Sequence, residues 1–352
     1  YTLEFFRQCS SRLNANGILA FRLPWTENYQ PPAMIHRMAA VFRAAEVVFP
    51  YVMVLPGTDS IFLCSSSSLT DNPPILIDRM HKRNLKSNIV TDAYVRYILT
   101  NNRSREVPEL IRSSSAPVNT DTRPVCYRYT LMIWLSKFWP SLAVWATTAF
   151  SESNLRAQYA AVFIPTLMLT ILLRRTPWRV RRAIVMGIAG FVGMGVEMIL
   201  LLHFQITNGV LFQDVGVLLT SFMVGLFLGS VVFTRSRKAI STKTGMWICI
   251  GNVLLCCSIG LAVGTDYAAG LPATFILLVF AGLSVAATFA YTGLKEPRDQ
   301  SRSIAPLYSA DLIGGGLGAF LAGILLIPLA GLDVSAFLLA PISGLSLILV
   351  SK

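Results

Sequence analysis

Acidic residues inside long apolar segments are the side chains of this sequence that point most directly to chemistry. Glu197 lies about fourteen residues, roughly 21 Å along a helix, from Arg182. A carboxylate at that depth in a membrane is costly unless it faces protein or water. The functional interpretations are a cation site, a proton relay or an acid that contacts a quinone. The structural alternative is a neutral or hydrogen-bonded Glu197 that fixes helix packing.

Further polar residues extend this candidate site. The outer ends of two consecutive helices are predicted to form a polar cluster from His203, Gln205, Gln213 and Asp214. Asp311 lies near the start of a later apolar segment. Two carboxylates that converge in a low dielectric share a proton, and a cation or polyamine held between them is the alternative. The sequence leaves open whether Glu197 and Asp311 meet.

The composition is that of a membrane protein. Of 352 residues, 54% are hydrophobic and only 14% are charged, and the mean hydropathy is +0.58. Much of the net charge of +12 sits in short basic clusters between apolar runs, so we expect a lipid bilayer and no nucleic acid as partner. The six cysteines form no C-x-x-C pair and the three histidines are scattered, which predicts no metal site and no evident cofactor.

Apolar segments of membrane-spanning length recur from about residue 129 onward. Eight are predicted, at residues 131–150, 157–173, 183–204, 210–233, 246–264, 271–292, 305–329 and 333–350. The first is interrupted by Lys137 and Pro140, and its tryptophans suit a membrane interface. A surface-lying first helix and seven spans are therefore the alternative.

The basic residues between these segments predict the orientation of the bundle. Alternate connections carry Arg174, Arg175, Arg179, Arg181 and Arg182, then Arg235, Arg237, Lys238 and Lys243, then Lys295, Arg298 and Arg302. The intervening connections, around Asn208, Asp266 and Asp333, carry no lysine or arginine. This bias places the basic loops in the cytoplasm, in a bacterial-type inner membrane. Residues 1–128 are cytoplasmic too if the first segment spans.

Residues 1–128 alternate helix and strand. The pattern predicts a helix over 1–13 that stops at Asn14–Gly17 with Gly17 in the left-handed conformation, a strand over 18–23, a helix from Pro31 to Glu46, and a hairpin of strands 47–55 and 60–65. Residues 66–125 are predicted to form a helical cap and a linker.

This order of elements is how doubly wound sheets of the class I methyltransferase type end. The predicted architecture is therefore the C-terminal half of a Rossmann-like α/β domain over residues 1–128, followed by a helical transmembrane bundle over 129–352. A sheet of two or three strands is too small to be stable alone, so it must pack against another structure. Tyr1 falls in the middle of a helical pattern and is not a methionine, which favours a longer gene product.

Glycines recur at four-residue spacing in the apolar segments, and we interpret them as positions of close helix packing rather than as a phosphate loop. The residues are Gly225, Gly229, Gly314, Gly315 and Gly318. No strand precedes the run at 314–318, as a phosphate loop would require.

The order of several short motifs resembles that of a known family, the membrane-fused spermidine synthase-like proteins. The motifs are Glu4-Phe-Phe, Arg12-Leu, Asn16-Gly-Ile-Leu, Val41-Phe, Val54-Leu-Pro-Gly, Asn119-Thr-Asp-x-Arg-Pro-Val, Gly190-Phe-x-Gly-Met-x-x-Glu, Phe204-Gln, Phe222-Met-x-Gly-x-x-x-Gly-Ser and Ser309-Ala-Asp-x-x-Gly-Gly. They cover nearly the whole chain.

This resemblance implies transfer of an aminopropyl group from decarboxylated S-adenosylmethionine, as co-substrate, to a diamine. The family's Gly-rich donor loop and catalytic aspartate have no counterpart in residues 1–352, so no catalytic residue is assigned and the chain alone is expected to be inactive. Residues 21–24 do not match the glutamine and glutamate with which the family holds the diamine, but Trp25, Glu27 and Tyr29 lie nearby. Contact of Glu27 or Tyr29 with a polyamine is one interpretation, and a solvated loop is the alternative.

Three functions follow as hypotheses. The first is an aminopropyltransferase completed by a missing N-terminal half, and the second is an accessory or structural subunit of a larger membrane complex. The third is transport of a cation or polyamine through the bundle by way of Glu197 and Asp311.

Overall fold

A computed structural model of the chain describes residues 1–26, 30–57, 59–141, 164, 167–168, 170–209, 212–235, 241–265, 267, 270–294 and 300–351. The chain divides into two compact units, Tyr1–Thr148 and Ala149–Lys352.

The first unit is a small α/β structure. Its elements in chain order are α1 (Leu3–Arg12), β1 (Ile18–Pro24), α2 (Pro32–Glu46), β2 (Tyr51–Leu55), β3 (Asp59–Ser65), α3 (Pro73–Lys82), α4 (Asp92–Thr100), α5 (Arg103–Ser113) and α6 (Val125–Phe138). The sheet order is β1-β3-β2, and β3 pairs antiparallel with both neighbours. β1 and β2 are therefore parallel to each other, and the outer edge of β1 pairs with no strand of the described residues.

One face of this sheet carries the core of the first unit. Phe21 of β1, Phe62 of β3 and Val54 of β2 lie side by side in the register, and the Phe21 and Phe62 rings stack with centroids 4.9 Å apart. Phe6 of α1 and Phe42 of α2 are also fully buried, and their rings pack on Phe21 and Phe62 respectively. Alternation along the strands sends the other side chains to the opposite face.

The turn after α1 differs from the prediction in one residue. Thr2 caps the start of this helix, its hydroxyl accepting a hydrogen bond from the amide of Phe5 at 3.3 Å. After the helix, Asn16 rather than Gly17 adopts the left-handed conformation, with φ of 65°. Asparagine tolerates that conformation better than most residues, so the glycine was not needed for it.

The hairpin of β2 and β3 is confirmed, but its first strand begins at Tyr51 rather than at Val47. Val47 closes α2 instead, and the amides of Val48 and Phe49 both donate to the carbonyl oxygen of Ala45. These hydrogen bonds continue the helical turn and leave no extended backbone there to pair.

Asn119, expected in a linker, is buried, and its hydrogen bonds connect the start of α1 with α2 and α6. Its side-chain nitrogen donates to the Tyr1 carbonyl oxygen at 2.8 Å, and its Oδ1 accepts from the Cys126 amide at 3.1 Å. Its own amide donates to the carbonyl oxygen of Ala40, and its carbonyl oxygen accepts from Leu3. The motif that begins at Asn119 therefore holds the first unit together.

We expect Asn119→Ala to destabilise the first unit by about 1–3 kcal/mol, because two partly buried main-chain groups, the Tyr1 carbonyl and the Cys126 amide, lose their partner. Hydrogen–deuterium exchange of α1 in the full chain should become faster in the variant. Asn102→Ala is the matched control, since Asn102 is exposed. Equal exchange in both variants would mean that Asn119 is dispensable.

The second unit is built from long apolar helices. They are α7 (Trp178–Asn208), α8 (Phe212–Arg235), α9 (Thr242–Gly264), α10 (Leu271–Leu294), α11 (Gln300–Leu321), a π-helical segment (Ala322–Leu326), α12 (Ile327–Ala330) and α13 (Leu332–Val350). Among the described residues, six stretches are long and apolar enough to cross a membrane: Trp178–Asn208, Phe212–Phe233, Thr242–Gly264, Leu271–Leu294, Ile304–Ala330 and Leu332–Val350. The chain is an integral membrane protein of the helical type.

The two remaining predicted spans, 131–150 and 157–173, fall partly outside the described residues. Of the segment 131–150, only residues up to 141 are described, and α6 starts six residues before it. Tyr129 and Met132 of α6 are buried, and the Tyr129 ring lies 5.6 Å from the imidazole of His36 on α2. The first unit therefore extends beyond the predicted boundary at residue 128.

Candidate functional site

Glu197 is buried in the core of the second unit. Only 4% of its surface is exposed, and its helical neighbours Val196 and Leu200 belong to the main apolar cluster. Among the residues that the structure describes, no amide or side-chain donor gives a hydrogen bond to the Glu197 carboxyl oxygens, and no basic side chain forms an ion pair with them. A charged side chain at the centre of a membrane helix costs about 2.5–3.5 kcal/mol on insertion scales. Within this described part of the chain, Glu197 is thus a buried acid in an apolar surrounding.

Asp311 does not reach Glu197. Its Oδ1 packs against Gly190 of α7, where an added Cβ would come within 2.6 Å of it. Gly190 precedes Glu197 by seven residues, which corresponds to about 10 Å along the helix. Two carboxyl groups at that distance do not share a proton, and a site formed jointly by both is not supported.

The residues of the predicted polar cluster lie in different environments. His203 is 2% exposed, whereas Gln205 is half-buried. On α8, Gln213 is exposed and Asp214 is half-buried in the first turn. In the described part of the chain, no hydrogen bond joins Gln205 to Gln213 or Asp214.

The glycines lie at helix crossings. A Cβ on Gly314 would overlap the carbonyl oxygen of Gly187, and one on Gly318 would overlap that of Phe191, so α7 and α11 approach through their backbones. Gly225 meets the carbonyl oxygen of Val279 in the same way.

Two further glycines make less extreme contacts. At Gly229 an added Cβ would lie 2.7 Å from the Cβ of Ala286, and at Gly315 it would lie 2.9 Å from Cγ of Met194. The crossings of α7 with α11 and of α8 with α10 are therefore set by small residues.

No protein-family model, curated protein or solved structure matches this chain.

The residues proposed to contact a polyamine follow β1. Trp25 is 4% exposed, and the hydroxyl of the next residue, Thr26, donates to the sulfur of Met34 at 3.5 Å. Glu27 and Tyr29 lie outside the described residues. A role for these three residues in substrate binding stays a prediction.

Sequence reasoning did not anticipate several buried polar groups of the bundle. The Asn252 side-chain nitrogen on α9 donates to the Thr288 hydroxyl on α10 at 3.4 Å, a hydrogen bond between helices. Arg182, assigned to a loop, is 5% exposed within α7. An asparagine or arginine beside an apolar run was the available signal, but the pattern does not say which helix it faces.

The described residues contain no group of three or more histidine, cysteine, aspartate or glutamate side chains that could hold a metal ion.

Two cysteine thiols of the first unit are shielded from solvent. Burial raises the pKa of Cys64 to about 12 and that of Cys126 to about 11.

We expect both thiols to resist alkylation in the folded protein. Each unit by which the pKa rises reduces the reactive thiolate about tenfold at neutral pH, so Cys126 should react about 100-fold more slowly than it does after denaturation. Mass spectrometry of peptides after timed iodoacetamide treatment measures these rates. Rates that denaturation does not change would contradict the assigned burial.

Proposed function

We propose that the chain is a membrane-anchored spermidine synthase-like protein whose first unit is the acceptor half of an aminopropyltransferase domain. The observation that carries this proposal is the sheet topology. β3 lies antiparallel between two mutually parallel strands, which is the arrangement expected where a parallel sheet closes with a hairpin. The outer edge of β1 is where the rest of a doubly wound sheet would continue.

The reaction needs groups that residues 1–352 do not contain. A diamine nitrogen forms a bond to the methylene carbon beside the sulfonium of decarboxylated S-adenosylmethionine, and the carbon–sulfur bond breaks. The amine proton passes to a carboxylate, and the donor must be held in line with the nitrogen. A donor half on an upstream segment or a partner chain supplies these groups. Its catalytic aspartate takes up the proton, and its Gly-rich loop holds the donor.

An assay of labelled aminopropyl transfer tests this proposal. The chain is co-expressed with the donor half of a soluble spermidine synthase, ending at its fourth strand. Labelled product is expected with the pair and with neither part alone. The control donor half carries asparagine in place of its catalytic aspartate. Product from the 352-residue chain alone, or none from a pair that binds, would overturn the proposal.

The accessory-subunit function is the second candidate, and the same β1 edge favours it. In that case the pair binds and forms no product, because the sheet is kept for docking only. A transporter that uses Glu197 and Asp311 together is less favoured, since Asp311 packs at Gly190, about two helical turns from Glu197. For the orientation, we propose that the basic connections face the cytoplasm, as the positive-inside rule predicts, and that the segment 131–150 spans, which places residues 1–128 on the same side.

A further inference from the structure

A break in the helical hydrogen bonding lies next to α11. The π segment Ala322–Leu326 follows this helix, and the amide of Ile327 donates to the carbonyl oxygen of Ala322, five residues earlier. Pro328 comes directly afterwards and has no amide hydrogen. The carbonyl oxygen four or five residues before Pro328, in Ile324 or Gly323, therefore loses its usual helical donor. π segments of this kind are frequent at functional sites.

This break lies at the depth of Glu197. α7 and α11 run parallel, because Gly187, Phe191 and Met198 meet successively later residues of the α11 side. At the last of these contacts, a Cβ on Gly323 would lie 3.2 Å from Cε of Met198. Glu197 is the residue before Met198, so the acid and the π segment share one level of the bundle.

The face of α7 that carries Glu197 is also defined. A Cβ on Gly193 would meet Val285 of α10 and lie 3.8 Å from the ring of Phe222 on α8. Glu197 follows Gly193 by four residues and lies on the same stripe of the helix. Its side chain thus starts between the α10 side and the α11 side of α7, at a level where Ala322 is fully buried.

Other titratable groups on the helices around α7 are placed elsewhere. Asp311 packs at Gly190, Tyr291 of α10 lies against Trp178, and Asp333 of α13 lies beside Gly264. Asp214 lies in the first turn of α8. His203 is on α7 itself, six residues after Glu197 and therefore on another face. Within the described ranges, no basic side chain is placed against Glu197.

From this geometry we propose that Glu197 is a proton-exchange site of the membrane bundle. In the resting state its carboxyl group is neutral, and its hydroxyl donates to the carbonyl oxygen that the π segment and Pro328 leave without a donor. The proton passes reversibly to a water molecule that enters at the break, giving a carboxylate and a hydronium ion. This role is independent of aminopropyl transfer and requires no second carboxylate.

Infrared spectroscopy of the full chain in lipid nanodiscs at neutral pH tests the proposal. The carbonyl stretch of a neutral carboxylic acid is expected, and it should be lost in Glu197→Gln but kept in Asp311→Asn. Transfer to heavy water should shift the band within minutes. Pro328→Ala restores an amide donor that competes for the carbonyl, so it should shift the band frequency even before deuteration.

Three results would overturn the proposal. A spectrum that Glu197→Gln does not change means that Glu197 is ionised, and a band that stays unshifted for hours in heavy water means a sealed structural acid. Loss of the band when sodium is added at constant pH means a metal-cation site. If Glu197→Gln fails to fold, dicyclohexylcarbodiimide labelling of the unmodified chain decides, because only a neutral, accessible Glu197 forms the adduct, and its absence refutes the proposal.

Discussion

Replacing Gly314 by leucine is expected to abolish assembly of the membrane bundle. An added Cβ would overlap the carbonyl oxygen of Gly187, which is a backbone atom and cannot rotate away. Overpacking that side chains absorb costs about 1–3 kcal/mol, and a clash between two helix backbones should exceed that range. The α7–α11 crossing would have to separate along its length.

Size-exclusion chromatography of detergent-extracted protein measures this effect. Gly314→Leu should give aggregated or degraded material in place of a single symmetric peak. Gly316→Leu is the matched control, because this residue lies on the same helix and an added Cβ meets nothing within 4 Å. A Gly314→Leu variant that elutes and melts like the unmodified protein would mean that α7 and α11 do not cross there.

Replacing Phe62 by alanine should strongly destabilise the first unit. The Phe62 side chain is fully buried in the central strand, stacked on Phe21 with its ring plane 13° from parallel, and close to Phe42. Truncation of a buried phenylalanine costs about 3–5 kcal/mol, a large share of the roughly 5–15 kcal/mol that stabilises a typical domain.

Urea-dependent proteolysis of the first unit in the full chain measures this loss. The midpoint should fall sharply in Phe62→Ala and change little in Ile61→Ala, whose side chain lies on the opposite face and is 37% exposed. Equal midpoints for the two variants would contradict the assigned faces of β3.

Local patterns were enough to predict the elements, because their physical causes are local. Runs of apolar residues with membrane-spanning length identified six helices, although α7 starts at Trp178, five residues before its prediction. The turn chemistry of Pro56-Gly57 identified the hairpin. Boundaries were predicted less well than elements. The left-handed residue was missed by one position, at Asn16 instead of Gly17, because both types tolerate that conformation, and β2 begins four residues after its predicted start.

The candidate site depended on features that a single sequence does not encode locally. Whether Glu197 and Asp311 meet is decided by the register of α7 against α11, and the register follows from which glycines interlock. The order of strands in the sheet likewise requires a non-local pairing of β1 with β3. The π segment had one visible signal, Pro328 inside an apolar run, but a proline also fits a simple kink.

Hydrogen–deuterium exchange at the two edges of the sheet tests whether the first unit is, as proposed, an incomplete sheet that continues at β1. The full chain in nanodiscs is compared with and without the donor half of a spermidine synthase. Exchange in the peptide covering Ile18–Pro24 should slow when the donor half is added, while Tyr51–Leu55 at the other edge should not change. Unchanged exchange at β1, or protection at β2 instead, would contradict the account.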